Sequence, residues 1–157
     1  MTNNDFLRRL RYALNIKDIT MMEIFKLGNK NINKEELVRL FKKDFEEGFL
    51  KLNNKDLNLF LDGLIIQRRG KKEEDSSKHP QIEITKNNLN NILLRKLRIA
   101  LELKSYDMIN IFKLGGAEIS ESELSALFRK EDHKNYRECG DRYIRVFLKG
   151  LVEYYRN

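Results

Sequence analysis

Arginine is the residue type in this chain best placed to do chemistry, and that chemistry is anion recognition. Arg8 and Arg11 recur 87 positions later as Arg95 and Arg98, and Arg142, Arg145 and Lys149 follow near the end. The last three stand at i, i+3 and i+7, which puts three cations on one face of a helix. A guanidinium fork donates two parallel hydrogen bonds to a phosphate, so these seven side chains form the candidate nucleic-acid-binding set. The competing reading is a solvated face, or arginines paired with acids of neighbouring helices.

Other chemistries find no residues to carry them. His79 and His133 stand near no Cys/His pair at metal spacing, so no zinc site is expected. Cys139 is the single cysteine. It aligns with Leu52 of the first half and reads as a small buried apolar residue. It excludes an internal disulfide and fits a reducing cytosol. The acidic runs Asp44-Phe45-Glu46-Glu47 and Glu131-Asp132 lack the ligand spacing of a calcium loop. Leu114-Gly115-Gly116-Ala117 closes a helix; it does not open a phosphate-binding one. With no nucleophile, acid or base in a catalytic pattern, no catalytic, metal or cofactor-binding residue is assigned, and the chain is not expected to be an enzyme.

The elements that position the arginines come in two copies. From Leu7/Leu94 to Leu64/Leu151 the halves align without a gap, and 23 of 58 pairs are identical. A duplicated module is the economical explanation. The composition is 41% hydrophobic and 35% charged with a single proline, rich in Leu, Lys, Glu and Ile, and it specifies an all-α protein. Two homologous four-helix modules are expected, residues 1–66 and 90–157, related by a pseudo-two-fold axis. A flexible polar linker, 67–89, joins them. The net charge of +7 is spread along the chain: 12 basic and 10 acidic side chains in 1–66, 6 and 4 in 67–89, 13 and 10 in 90–157. No apolar run approaches the ~20 residues of a membrane span, and the start Met-Thr-Asn-Asn-Asp is not a signal peptide. A cytoplasmic location is expected, with no membrane partner.

Within each module, four aligned polar residues are expected to cap helices: Asn4/Asn91, Asp18/Ser105, Asn33/Ser120 and Asn54/Asp141. Glu36 and Glu123 complete capping boxes with Asn33 and Ser120. The second helix, Met21-Met22-Glu23-Ile24-Phe25-Lys26-Leu27-Gly28 and its copy from Met108 to Gly115, has one narrow polar stripe and belongs at the centre of a core. Gly28 and Gly115 are expected to close it in a left-handed conformation. Gly48 aligns with Asn135, two residue types that tolerate positive φ. Gly63 and Gly150 sit inside the fourth helix, where glycine costs ~1 kcal/mol against alanine. Their recurrence predicts a close approach by another backbone, that of the equivalent helix of the other module being one option. The second and third helices weigh against a helix-turn-helix, because the turn is too long and the second copy leads with Glu118, Glu121 and Ser122.

The opening Asn-Asn-Asp-Phe-Leu-Arg-Arg-Leu-Arg-Tyr-Ala-Leu, the paired Phe-Lys-Leu-Gly ends, Phe60-Leu61-Asp62-Gly63-Leu64 and Tyr136-Arg137-Glu138-Cys139-Gly140-Asp141 resemble the YehS-like bacterial family of small tandem-duplicated proteins. The resemblance covers both modules. It implies a small bacterial cytoplasmic protein and supplies no catalytic or binding residues. Two functions follow from the residues. One is a non-enzymatic accessory or regulatory factor that contacts RNA or DNA through the arginine-bearing helices. The other is an interaction module that receives a partner helix or peptide between the duplicated halves.

Overall fold

The computed structural model describes residues 1–70 and 83–156, and among them all regular structure is helical. The first half holds α1 (Asn3–Leu14), α2 (Asp18–Leu27), α3 (Lys34–Leu40) and α4 (Asn54–Arg69). The second holds α5 (Leu89–Ala100), α6 (Ser105–Gly115), α7 (Glu121–Leu127) and α8 (Asp141–Arg156). The offset of 87 carries α3 onto α7 and α4 onto α8 residue for residue. Gln67–Arg69 complete α4, so the expected linker begins inside a helix. Residues 71–82, with His79, lie outside the described residues.

Each half packs its apolar helix in the same way. Phe6, Leu7, Leu10 and Ala13 of α1 are buried, as helical spacing requires. α2 buries Met21, Ile24 and Phe25 against α4, where Phe25 meets Phe60 at 4.8 Å between ring centroids. Phe112 of α6 repeats the contact with Phe147 of α8 at 5.1 Å. The glycines explain how these pairs come so close. A Cβ on Gly63 would stand 1.9 Å from the Ile24 carbonyl oxygen, and one on Gly150 would stand 1.9 Å from that of Ile111. The approaching backbone is therefore the second helix of the same half, not the equivalent helix of the other.

Gly28 and Gly115 serve the same contact from the opposite side. A Cβ on either would lie 1.9 Å from a carbonyl oxygen, of Leu59 or Val146. Gly28 has φ −85°; the left-handed residues come one position later, at Asn29 (φ 67°) and Gly116 (φ 106°). Gly48 has φ 87°, whereas Asn135 is not among the positive-φ residues.

The caps divide. Asn33 and Ser120 form the expected boxes with Glu36 and Glu123. Lys17 and Lys104 occupy the cap positions before α2 and α6, and Asp18 and Ser105 are first-turn residues. Asn53, not Asn54, caps α4, accepting from the Asp56 N–H at 2.7 Å. Asn4 and Asn91 cap nothing: Thr2 caps α1, and the asparagines point into the core. The Asn4 amide donates to the carbonyls of Leu40 and Leu50 and accepts from the Leu52 N–H, each at 2.9 Å. Asn91 makes the same three bonds to Leu127, Arg137 and Cys139. A side chain of this shape is the cheapest way to satisfy three buried backbone groups of an irregular turn.

The two halves interlock. α1 lies chiefly on α8 and only slightly on α4 of its own half, and α5 likewise lies on α4. Exchanging the halves maps each contact onto its counterpart, which is the signature of a two-fold relation. The α1 and α8 helices run side by side in the same direction. At their starts the Met1 ammonium pairs with Asp141 at 3.5 Å, and at their ends Arg156 donates to the Tyr12 carbonyl at 3.0 Å.

Candidate functional site

Four of the arginines are engaged by their own halves. The Nε of Arg11 donates to the Ile16 carbonyl at 3.0 Å, and its fork pairs with Asp18. Arg98 repeats this with the Leu103 carbonyl at 3.1 Å and the Ser105 hydroxyl at 3.2 Å. Each of the two guanidinium groups also covers a phenylalanine ring, Phe41 at 4.8 Å and Phe128 at 4.9 Å. Arg95 donates to the Phe128 carbonyl at 2.7 Å. Arg8 pairs with Asp5 at 2.9 Å and reaches the Phe41 and Lys42 carbonyls at 3.5 Å. The spacing shared between the copies thus serves helix ends and turns. Arg39 of α3 and Lys42 just beyond it do the same, donating to the Gly48 and Glu47 carbonyls at 2.8 Å.

The α8 cations are different. Arg142, Arg145 and Lys149 are exposed, and they enter no hydrogen bond or ion pair with another described residue. Arg145 and Lys149 line an open groove of about 620 Å³ along the seam between α1 and α8, facing Arg8, Arg9 and Tyr12. Val146, Leu148 and Val152 form its apolar floor, Gly115 lies at one edge, and Glu153 contributes a carboxylate. Arg142 stays outside the groove. Arg9, exposed and likewise without a partner among the described residues, completes the cationic rim.

The equivalent seam between α5 and α4 is built from the aligned positions and carries a different charge. Asn58 stands for Arg145, Asp62 for Lys149, and Ile99 for Tyr12. Asp62 neutralises Lys96, the counterpart of Arg9, in an ion pair of 2.8 Å. One seam is therefore closed by its own charges, and the other is rimmed by Arg9, Arg145 and Lys149, none of which makes an ion pair with another described residue.

The remaining reactive groups are occupied. Burial pushes the Cys139 thiol up to about 12, so it stays protonated near neutrality. Asp141 is held below the usual carboxylate range. Its largest cause is the hydrogen bond from Asn90, and the N-terminal ammonium and Arg145 act in the same direction against partial burial. His133 accepts a hydrogen bond from the Asn135 N–H at 2.9 Å within its turn. Among the described residues, no helix is long and apolar enough to cross a membrane.

Fold and groove together define a tandem-duplicated all-α protein with one cationic seam between its halves. A family described as "Protein of unknown function (DUF1456)" matches residues 3–70 and again 90–157, and the chain belongs to it. It is 40% identical over 152 residues to the uncharacterized protein YehS of Escherichia coli strain K12, covering 97% of this chain and 95% of that one. No solved structure matches.

Proposed function

We propose that the protein is a non-enzymatic accessory or regulatory factor that binds nucleic acid in the groove between α1 and α8. The observation that carries this reading is the difference between the two seams. The copies retain their core and helix-end residues, yet the exposed Arg145 and Lys149 align with a buried Asn58 and with Asp62. Folding does not require the two cations, since the closed seam packs the equivalent helices with Asn58 and Asp62 at those positions. Unpaired guanidinium and ammonium groups above an apolar floor complement a phosphate backbone whose counterions they displace.

The test is fluorescence anisotropy with labelled RNA and DNA of mixed sequence at low salt. Binding should weaken as salt rises, and each phosphate-contacting cation removed should lower the slope of log K against log salt by ~0.7–0.9. Arg145→Glu with Lys149→Glu should abolish binding and leave the melting temperature near that of the parent, since exposed charges contribute only about 0–1 kcal/mol. Absence of binding at low salt, or binding undisturbed by the double reversal, refutes the reading. The rival reading, a partner helix or peptide in the groove, then takes its place.

A further inference from the structure

We infer that the groove takes a single strand, with one base stacked on Tyr12; this rests on the nucleic-acid reading and narrows it. Tyr12 lines the groove and is 57% exposed. The Arg156 guanidinium lies 4.2 Å from the centre of its ring while donating to its backbone carbonyl. One face of the ring is thereby held by a cation from the end of α8, and the ring has little orientational freedom left to lose on binding. A fixed aromatic face beside a line of cations is the pairing that single-strand sites use: stacking for the base, charge for the backbone.

The seam comparison supports the same conclusion independently of charge. Among the described residues, Tyr12 is the only aromatic one lining the groove, and in the closed seam that position is Ile99. Aromatic and cationic residues are therefore gained together, on one side of the molecule. The floor of Val146, Leu148 and Val152 adds apolar surface. A duplex keeps its bases paired within and presents phosphates outward, so it has nothing to set against a tyrosine face and an aliphatic floor. A single strand offers phosphates to Arg9, Arg145 and Lys149 and unpaired bases to the ring and floor.

The experiment uses the full chain and a short labelled oligonucleotide, single-stranded or annealed to its complement, each as RNA and as DNA. The single strand should bind more tightly than the duplex at equal salt. Tyr12→Ala should weaken single-strand binding by about 5- to 150-fold, the effect of losing one base–aromatic stack, and Tyr12→Phe should retain it. The protein has six tyrosines and no tryptophan. An unlabelled strand should therefore quench part of its tyrosine emission, and Tyr12→Phe should remove that part. If duplex binds as well as single strand, or Tyr12→Ala binds like the parent while Arg145→Glu with Lys149→Glu does not bind, the single-strand inference falls and the nucleic-acid reading stands. Failure to bind any of the four probes overturns both.

Discussion

The contact between α2 and α4 gives the sharpest quantitative test, through Gly63→Ala. A Cβ at this position stands 1.9 Å from the Ile24 carbonyl oxygen and 2.9 Å from the Gly28 nitrogen. A carbon and a carbonyl oxygen settle no closer than ~3.3 Å, so α4 must retreat from α2 by roughly 1.4 Å. Both opposing atoms are backbone and cannot rotate away. The retreat also opens the Phe25–Phe60 contact, and a gap of that size forfeits a large part of the dispersion energy of each contact. Overpacking costs ~1–3 kcal/mol, and a backbone clash this short belongs at or above the upper end. Alanine recovers ~1 kcal/mol of helix propensity. The net is a destabilisation of about 2 kcal/mol, or a melting temperature lower by ~4–8 °C for a chain of this size. Thermal denaturation followed by circular dichroism reads it directly. Gly140→Asn is the control. A Cβ there meets nothing within 4 Å, and the aligned Asn53 already caps α4, so stability should hold or rise by a few tenths of a kcal/mol. A Gly63→Ala protein that melts at or above the parent temperature refutes the reasoning.

Four further outcomes are expected. Asn4→Leu leaves two carbonyls and an N–H without partners inside the core and should cost about 3 kcal/mol or more, with faster amide exchange at Leu52 as the local readout. Arg98→Ala removes a bond to the Leu103 carbonyl and the cover over Phe128, and should destabilise by ~1–2 kcal/mol, whereas Arg145→Ala should have almost no effect on the same melt. The pH dependence follows from Asp141. A carboxyl held low in the folded state contributes stability that is present above its unfolded value near ~4 and is lost as pH falls through the folded value. Asp141→Asn should therefore lower the neutral melting temperature slightly and flatten the acid limb of the stability curve, so that variant and parent converge at acid pH. Finally, Arg145→Asn with Lys149→Asp rebuilds the closed seam at the open one and supplies Arg9 with a carboxylate. It should abolish salt-dependent binding in the anisotropy titration without loss of stability.

The repeat made much of this fold readable. Matching apolar spacing gave the number and order of the helices, and the capping boxes at Asn33 and Ser120 fixed two of their starts. The doubled mid-helix glycines announced a close backbone approach but could not say whose, because a small residue marks contact without naming the partner. Asn4 and Asn91 look like caps in sequence. Their true role depends on three carbonyl and amide groups brought in from 36 to 48 residues away, which no local pattern encodes. The same limit applied to the groove. The cations of α8 and their counterparts Lys55, Asn58 and Asp62 could be read off the alignment, whereas Arg9 and Tyr12 joined them only once α1 was seen to lie on α8. The apolar face of α1 requires a neighbour, and its periodicity is the same whichever helix fills that place.

The interlocking of the halves sets an order of events during synthesis. α1 leaves the ribosome well before the helix it rests on, α8, and the bond from Arg156 to Tyr12 closes across 144 residues. At ~5–20 residues per second, the apolar side of α1 waits roughly 7–30 s for α8 to be made. Until α5 follows, the nascent first half presents two unmet helix faces, one on α1 and one on α4, and the face on α1 stays open until α8 is made. These are complementary to the faces of another first half emerging on a neighbouring ribosome of the same message. Duplication into one chain raises the effective concentration of the correct partner well above that of a neighbour. In the tandem arrangement the halves meet by closure of one loop, with no encounter between two molecules required.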